Sequence, residues 1–181
     1  IALRIYLTIG FVAVVGLAVL TATSTKSAMR KLGAKWGRLH KLVYPIAVLG
    51  VVHFFLQSKV DVSEATLMAG LFVGLMLYRF AYWRGWSLRS AVTLSVVAVV
   101  AGAVTVGIEY AWYALATGIP AERVVAANLE WIWPLRPAWN VFLAGMFMVV
   151  ILPFGKDGTM RVFFANLMAE RRLRPQHSRG G

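Results

Sequence analysis

The sequence predicts an all-α protein: a polytopic bundle of about five transmembrane helices. Of its 181 residues, 60% are hydrophobic and only 14% are charged, which is typical of integral membrane proteins. The apolar residues form runs close to the length that crosses a bilayer. The basic residues collect in alternate connections between those runs, as they do in membrane proteins with cytoplasmic and external loops.

A bilayer core is crossed by about 20 apolar residues of helix, and five runs approach that length. They are residues 5–21, 42–57, 65–82, 91–108 and 138–154. We expect the second to extend a turn or two towards its N-terminus, and a longer fourth span is left open. The third contains Gly70 and Gly74 as a GxxxG pattern, which predicts close helix packing. The fifth is short and lies between Pro137 and Pro153.

The charged residues predict the orientation. Lys and Arg without acids occupy the connections before the second span and after the third, and the C-terminal tail is also basic. Because Lys and Arg mark cytoplasmic loops, residue 1 is predicted to lie outside and residue 181 inside. This topology explains the net charge of +12 without nucleic acid as a partner. Because the chain starts outside and with Ile1, we expect it to be N-terminally truncated.

The acidic residues between the spans, Asp61, Glu64, Glu109, Glu122 and Glu130, are predicted to lie in external connections, and none at membrane depth. Residues 120–134 are too polar to span, and Val124, Val125, Leu129 and Ile132 form an apolar face opposite charged residues. This pattern predicts an interfacial helix on the outer surface. A docking surface for an external partner is the alternative. A basic cytoplasmic tail is expected at 156–181.

Two histidines are the strongest candidates for function. His53 lies four residues before Gln57, inside the second span. Ionisable side chains within membranes are rare and are usually functional, and neutral imidazole is a common axial ligand of haem iron. The structural alternative is a neutral histidine bonded to a neighbouring backbone carbonyl, Ser or Thr. The chain has no cysteine, so metal ligands are restricted to histidine and oxygen.

His40 lies at the basic rim of the same span, where it would need no functional explanation by itself. Thirteen residues rise about 19.5 Å along a helix, which would place His40 and His53 near opposite leaflets, each beside its own haem. In a straight helix they would lie about 220° apart around the axis, and Pro45 is a candidate kink. His177 is a poor second axial ligand, so a partner ligand is expected upstream of Ile1 or on another subunit.

Basic residues near the histidines are candidates for pairing with haem propionates. Arg38 and Lys41 lie beside His40, and Lys59 follows the second span. The alternative is that all three are ordinary interfacial cations. No G-x-G-x-x-G follows a strand, and only 27 residues, 155–181, follow the fifth span. A nucleotide-binding domain within this chain is therefore excluded, and electrons would have to come from a separate donor.

The segment TSTKSAMRKLGAKWGRLHKLVYPIAVLGVVHFF carries a resemblance to a known family. Its distinctive residues are Ser24-Thr25, Arg30-Lys31-Leu32-Gly33, Trp36, Leu39-His40, Val43-Tyr44 and His53. As a set they resemble the haem-binding membrane subunit of the bacterial periplasmic methionine-sulfoxide reductase system, in the ferric-reductase-like transmembrane superfamily. The resemblance covers about residues 1–84. Two further transmembrane helices are expected in 85–155.

The resemblance implies that His40 and His53 are haem ligands or associated with haem, with another ligand histidine on an earlier helix. It implies haem b, an association with FMN, and electron transfer from the quinone pool or a cytoplasmic flavin reductase. The acceptor would be a periplasmic molybdopterin-dependent enzyme that repairs oxidised methionine. The chain would then be an electron-transfer subunit, and catalysis of its own stays open. The alternatives are another ferric-reductase-like electron carrier, or a non-redox transport or assembly subunit.

Overall fold

The computed structural model describes residues 2–58, 61–88, 90–118, 120 and 122–154. These residues form eight helices joined by short connections, and no strand occurs among them. The helices are α1 (Ala2–Ala22), α2 (Lys26–Leu32), α3 (Ala34–His40), α4 (Val43–Gln57), α5 (Ser63–Trp83), α6 (Ala91–Ala116), α7 (Glu122–Leu129) and α8 (Pro137–Phe154). The predicted all-α class is confirmed.

Four stretches are long and apolar enough to cross a membrane, judged by length and composition: Ile5–Ala22, Ala34–Gln57, Ser63–Trp83 and Ala91–Ala116. The fifth predicted span is a shorter apolar helix, Pro137–Ile151. Large apolar side chains cover the outside of these helices, as expected for a protein whose solvent is lipid. The polytopic transmembrane fold is therefore confirmed, with a short fifth member.

The helices pack as two connected groups. In the first group, α1 lies against α4, and in the second α5, α6 and α8 pack together, with α4 joining the groups through α5. Small residues allow the close approach. A Cβ on Gly145 of α8 would lie 2.6 Å from Ala98 Cβ of α6. A Cβ on Gly70 would meet Thr105, and one on Gly74 would lie 3.6 Å from Ala101 Cβ, so the GxxxG of α5 serves packing as predicted.

Contacts between helices define two ends of the bundle. At one end Phe55 and Trp112 lie with ring centroids 5.0 Å apart, and Asn128 and Arg136 contact Glu109, which is three residues before Trp112 on α6. We call this the Gln57 end. At the opposite end, which we call the His40 end, the Arg79 guanidinium of α5 lies 5.3 Å from the Tyr44 ring centroid of α4. The two histidines of α3 and α4 therefore lie towards different ends.

The second span begins as α3 and continues, after a tight turn, as α4. Three backbone bonds at this turn are of the i→i−3 type: Lys41 N to Arg38 O at 3.3 Å, Leu42 N to Leu39 O at 3.0 Å, and Tyr44 N to Lys41 O at 3.2 Å. Pro45 lies in the first turn of α4, where its missing N–H is tolerated. The predicted local distortion near Pro45 is confirmed as this tightened turn.

The position of Glu109 is a correction. The fourth span was placed at 91–108, with a longer span left open, and Glu109 was expected in an external connection. Instead α6 continues to Ala116, and Glu109 lies inside the helix with 1% of its surface exposed. The expectation that acids are absent from the spanning helices is therefore wrong. A hydropathy run stops at the first charge, whereas this charge is buried among partners from other parts of the chain.

The segment predicted as an interfacial helix is only partly helical. α7 ends at Leu129, and a non-helical stretch with a cis Trp133–Pro134 peptide bond leads to α8. The predicted apolar face is divided: Val124 is buried against the protein, whereas Leu129 and Ile132 are exposed. The predicted tail, 156–181, lies outside the described residues.

Candidate functional site

His53 lies on the side of α4 that packs against α1. Its Nδ1 is 2.8 Å from the backbone carbonyl oxygen of Tyr6, which is 47 residues away in sequence. A carbonyl oxygen only accepts, so Nδ1 carries the proton and donates it. The His53 ring is stacked on the Tyr6 ring, with ring centroids 5.7 Å apart. Gly10 makes room for the imidazole, since a Cβ there would lie 2.6 Å from His53 Cε1.

This hydrogen bond fixes the tautomer of His53. With the proton of the neutral ring on Nδ1, the lone pair is on Nε2, which makes no hydrogen bond with the described residues. Metal-binding histidines are commonly oriented in this way, with one nitrogen donating to a carbonyl and the other coordinating. The same bond also satisfies the structural alternative of a histidine paired with a backbone carbonyl. Coordination through Nε2 is what distinguishes the two interpretations.

His40 is held by contacts on both ring nitrogens. Its Nδ1 lies 3.3 Å from Trp36 O and its Nε2 3.2 Å from Ser24 Oγ. The Ser24 hydroxyl has one proton and also lies 2.7 Å from Leu20 O, so the donor between Ser24 Oγ and His40 Nε2 depends on the tautomer of His40. The Trp36 ring stacks on His40 at 4.0 Å and donates from Nε1 to Thr23 O. Coordination by His40 Nε2 therefore requires Ser24 to be displaced.

Both histidines are close to the α1 segment. His53 contacts α1 near its start, and His40 contacts Ser24, just beyond the end of α1. The turn between α3 and α4 favours this arrangement. In a straight helix the rotation of about 220° leaves His40 and His53 about 140° apart by the shorter way round the axis. Three residues that each turn by about 120° instead of 100° add about 60°, which reduces this angle to about 80°. The structure thus brings together with α1 two residues that a straight helix would separate.

The predicted basic residues lie at the His40 end. Arg38 is on α3 and Lys41 directly follows it, and both are exposed. In the part of the chain that the structure describes, the ion pair is Arg136–Glu109, so neither Arg38 nor Lys41 is paired with a carboxylate there. Their role towards haem propionates stays a prediction. Lys59 and His177 lie outside the described residues.

The donor set fits a porphyrin-bound iron. Among the described residues, no group of three or more His, Asp or Glu side chains is arranged to hold a metal ion. A bare ion needs such a group, whereas haem iron receives four nitrogens from its macrocycle and needs only axial side chains from the protein. The free Nε2 of His53, in apolar surroundings, meets that requirement.

Comparison with known proteins finds relatives of this chain among haem-binding subunits of methionine-sulfoxide reductase. No family model matches the chain, and no solved structure matches it. Over 75 residues the chain is 49% identical to the haem-binding subunit MsrQ of protein-methionine-sulfoxide reductase from Rhodospirillum rubrum, covering 41% of this chain and 36% of that protein. Over 88 residues it is 44% identical to MsrQ from Xanthomonas campestris pv. campestris and 43% to MsrQ from Xanthomonas oryzae pv. oryzae, in each case 49% of this chain and 38% of the relative. The matched segment is homologous to MsrQ.

The resemblance to the haem-binding subunit of the methionine-sulfoxide reductase system is therefore confirmed. The chain spans less than two fifths of the length of these MsrQ proteins. Together with the helices of spanning length, the homology to MsrQ supports a multi-pass membrane protein.

Some residues of the site were not found by sequence reasoning. The carbonyl of Tyr6 has no sequence signature, because any residue supplies one. Gly10 and Gly16 did leave a signal, since glycines within an apolar span often mark close helix contacts. A Cβ on Gly16 would lie 2.7 Å from Ile46 Cδ1, so both glycines are contact points between α1 and α4. Ser24 belonged to the family pattern, and its contact with His40 now gives it a structural reason.

Proposed function

We propose that this chain is part of a haem-binding membrane subunit that passes electrons to a periplasmic methionine-sulfoxide reductase. The observation that supports this most directly is the orientation of His53, whose Nδ1 donates to Tyr6 O and whose Nε2 is left for a ligand. The homology to MsrQ, which is named as a haem-binding subunit, supports the same proposal.

Each residue of the site has a definite task in this proposal. His53 is the axial ligand through Nε2, Tyr6 holds its tautomer, and Gly10 allows α1 to lie directly on the ring. His40 is the second candidate ligand, after exchange of its Ser24 contact. The bound haem iron supplies a one-electron redox centre.

The surroundings contribute charge and exclusion of water. The exposed cations Arg38 and Lys41 are suited to pair with propionate carboxylates at the His40 end. The apolar side chains of α1 and α4 exclude water from His53. A dry site strengthens the influence of each nearby charge on the redox centre.

The electron donor, the electron acceptor, FMN and the orientation in the membrane are also part of the proposal. The donor is the quinone pool or a cytoplasmic flavin reductase, and the acceptor is a molybdopterin-dependent enzyme, as the family resemblance implies. FMN is proposed on the same basis. The basic connections support an inner-membrane topology with residue 1 periplasmic and residue 181 cytoplasmic.

Absorption spectroscopy of the purified full-length protein, produced with ample haem, tests the haem site. We expect a Soret band and a reduced α band of b-type haem, and we expect His53→Ala to remove the haem bound there. His177→Ala is the matched control and should retain it. His53→Met, which offers a thioether ligand, should retain haem with a changed potential. A colourless protein, or a spectrum unchanged in His53→Ala, would overturn the proposal.

The acceptor is tested separately. After reduction of the haem by dithionite and removal of excess reductant, the reductase and methionine sulfoxide are added together. Reoxidation that requires both supports delivery of electrons to this enzyme. A protein that binds haem but is not reoxidised would instead be a different ferric-reductase-like electron carrier.

A further inference from the structure

The connection between α7 and α8 presents large apolar side chains that the protein does not cover. Leu129, Trp131, Ile132 and Trp133 are exposed by 77%, 61%, 62% and 84%. We call this the Leu129–Trp133 segment. Exposure of this much contiguous apolar surface to water is unfavourable, at about 25 cal/mol for each Å². Such a patch generally indicates a contact with another molecule or with a membrane.

Buried polar contacts hold both flanks of this segment. On its N-terminal side, Asn128 Nδ2 donates to Glu109 Oε2 at 2.8 Å and to Val124 O at 2.9 Å. On its C-terminal side, Arg136 Nη1 lies 3.3 Å from Glu109 Oε1. One buried carboxylate of α6 therefore receives hydrogen bonds from the residues on either side of the segment. A buried carboxylate is costly unless paired in this way, so these contacts constrain where the segment lies.

An aromatic contact adds to the constraint. Trp131 meets Trp139, in the first turn of α8, edge-on with ring centroids 4.8 Å apart. Such a pair typically contributes about 0.5–1.5 kcal/mol beyond the area it buries. The exposed side chains are thus presented by a segment fixed at three points, not by a free loop.

The position of the segment favours lipid as the covering molecule. It leads from α7 into α8 and is held beside Glu109, about two turns before the end of α6, and both α6 and α8 are apolar helices. Leu115, in the last turn of α6, is exposed by 87% and continues the apolar surface of that helix. Tryptophan is enriched where hydrocarbon meets headgroups, because its ring is apolar and its N–H is polar.

We propose that the Leu129–Trp133 segment inserts into the membrane interface at the Gln57 end, and that Glu109 holds it there. The ligand is a lipid surface: hydrocarbon for Leu129 and Ile132, and the headgroup boundary for the two tryptophans. This proposal is independent of haem binding, since it depends on contacts of α6, α7 and α8.

Site-directed spin labelling tests the proposal, because the chain contains no cysteine to interfere. A nitroxide is attached to Ile132→Cys in the full chain in phosphatidylcholine nanodiscs, and its collisions with oxygen and with a water-soluble nickel chelate are compared. Oxygen concentrates in hydrocarbon and the chelate in water. Leu115→Cys is the lipid control, and Arg123→Cys, on the exposed polar side of α7, is the aqueous control.

We expect the label at Ile132 to resemble that at Leu115. A label as accessible to the chelate as that at Arg123 would overturn the proposal. The proposal would also be overturned if the label is accessible to the chelate in the chain alone and becomes shielded only when a soluble protein partner is added. The segment would then be a protein-docking surface.

The role of Glu109 is tested by Glu109→Gln in the Ile132→Cys background. The neutral amide is nearly isosteric but weakens the bond from Arg136, so the population of water-exposed label should rise about fivefold. Glu122→Gln, which neutralises an exposed carboxylate of α7, should leave it unchanged. Equal accessibility in the two variants, with helix content preserved by circular dichroism, would overturn the holding role of Glu109.

Discussion

Replacement of Gly10 by alanine tests the contact that orients His53. The new Cβ would lie 2.6 Å from His53 Cε1, 2.8 Å from Nδ1 and 3.0 Å from Nε2. An acceptable contact requires about 3.4 Å, so the imidazole or the helix must move by about 0.8 Å. The clash involves the ring itself and not the flexible end of a long side chain. Either the ring turns and its 2.8 Å bond to Tyr6 O is lost, or α1 separates from α4.

The expected magnitude follows from these two costs. Overpacking by one methyl group in a tight contact typically costs about 1–3 kcal/mol. If the free energy of haem binding becomes less favourable by this amount, haem affinity decreases about 5- to 150-fold. The measurement is a haem titration of the apo-protein, followed at the Soret band, together with the reduction potential. A displaced imidazole should change the potential as well as the affinity.

Gly50→Ala is the matched control, since it makes the same change in the helix that carries His53. Nothing lies within 4 Å of a Cβ at Gly50, and alanine favours helix over glycine by about 1 kcal/mol. This variant should bind haem normally and be no less stable. If Gly10→Ala and Gly50→Ala bind haem with the same affinity and potential, the proposed role of the α1 contact in orienting His53 is refuted.

Three further predictions concern the rest of the bundle. Gly145→Ala places a methyl group 2.6 Å from a side-chain carbon of α6 and 3.0 Å from its backbone. The free energy of unfolding should therefore decrease by about 1–3 kcal/mol, which is measured as a lower thermal midpoint in detergent. Arg136→Met leaves the buried carboxylate of Glu109 with only an amide partner, and the same measurement should show a loss of about 1–3 kcal/mol. Hydrogen bonds from Ser63 hold the pKa of Asp61 below its usual value of 3.8. A depressed carboxyl pKa stabilises the fold above that value and less as the pH falls below it, so wild type and Asp61→Asn should differ at neutral pH and converge in acid.

Each of these predictions has its own control. Gly107→Ala changes a glycine of α6 with nothing within 4 Å, and a midpoint as low as that of Gly145→Ala would contradict the packing argument. Arg123→Met removes an exposed cation of α7 and should have little effect. For Asp61, melting curves that stay separated by the same amount from neutral pH to about pH 3 would exclude its titration as the cause.

The elements that sequence reasoning found are those fixed by local composition. The span around His53 was recognised from its apolar length, and its extension into α3 was expected from the residues before Leu42. The start of α6 at Ala91 agrees with the prediction, but its end was not located, because Glu109 ends the hydropathy run although it does not end the helix. The folding of residues 120–134 was missed in part, since Val124 and Leu129 belong to one apolar pattern but face different surroundings.

The sequence by itself determined that this protein is helical, that its helices suit a membrane, and that part of the chain is homologous to MsrQ, because helix length, apolar content and sequence similarity are properties of the chain itself. Only the tertiary structure decided that His53 donates to Tyr6 O across 47 residues, and that Glu109 is buried between Asn128 and Arg136. The reason is physical. A hydrogen-bond partner from another helix depends on how the helices pack, and any residue can offer its backbone carbonyl to that packing.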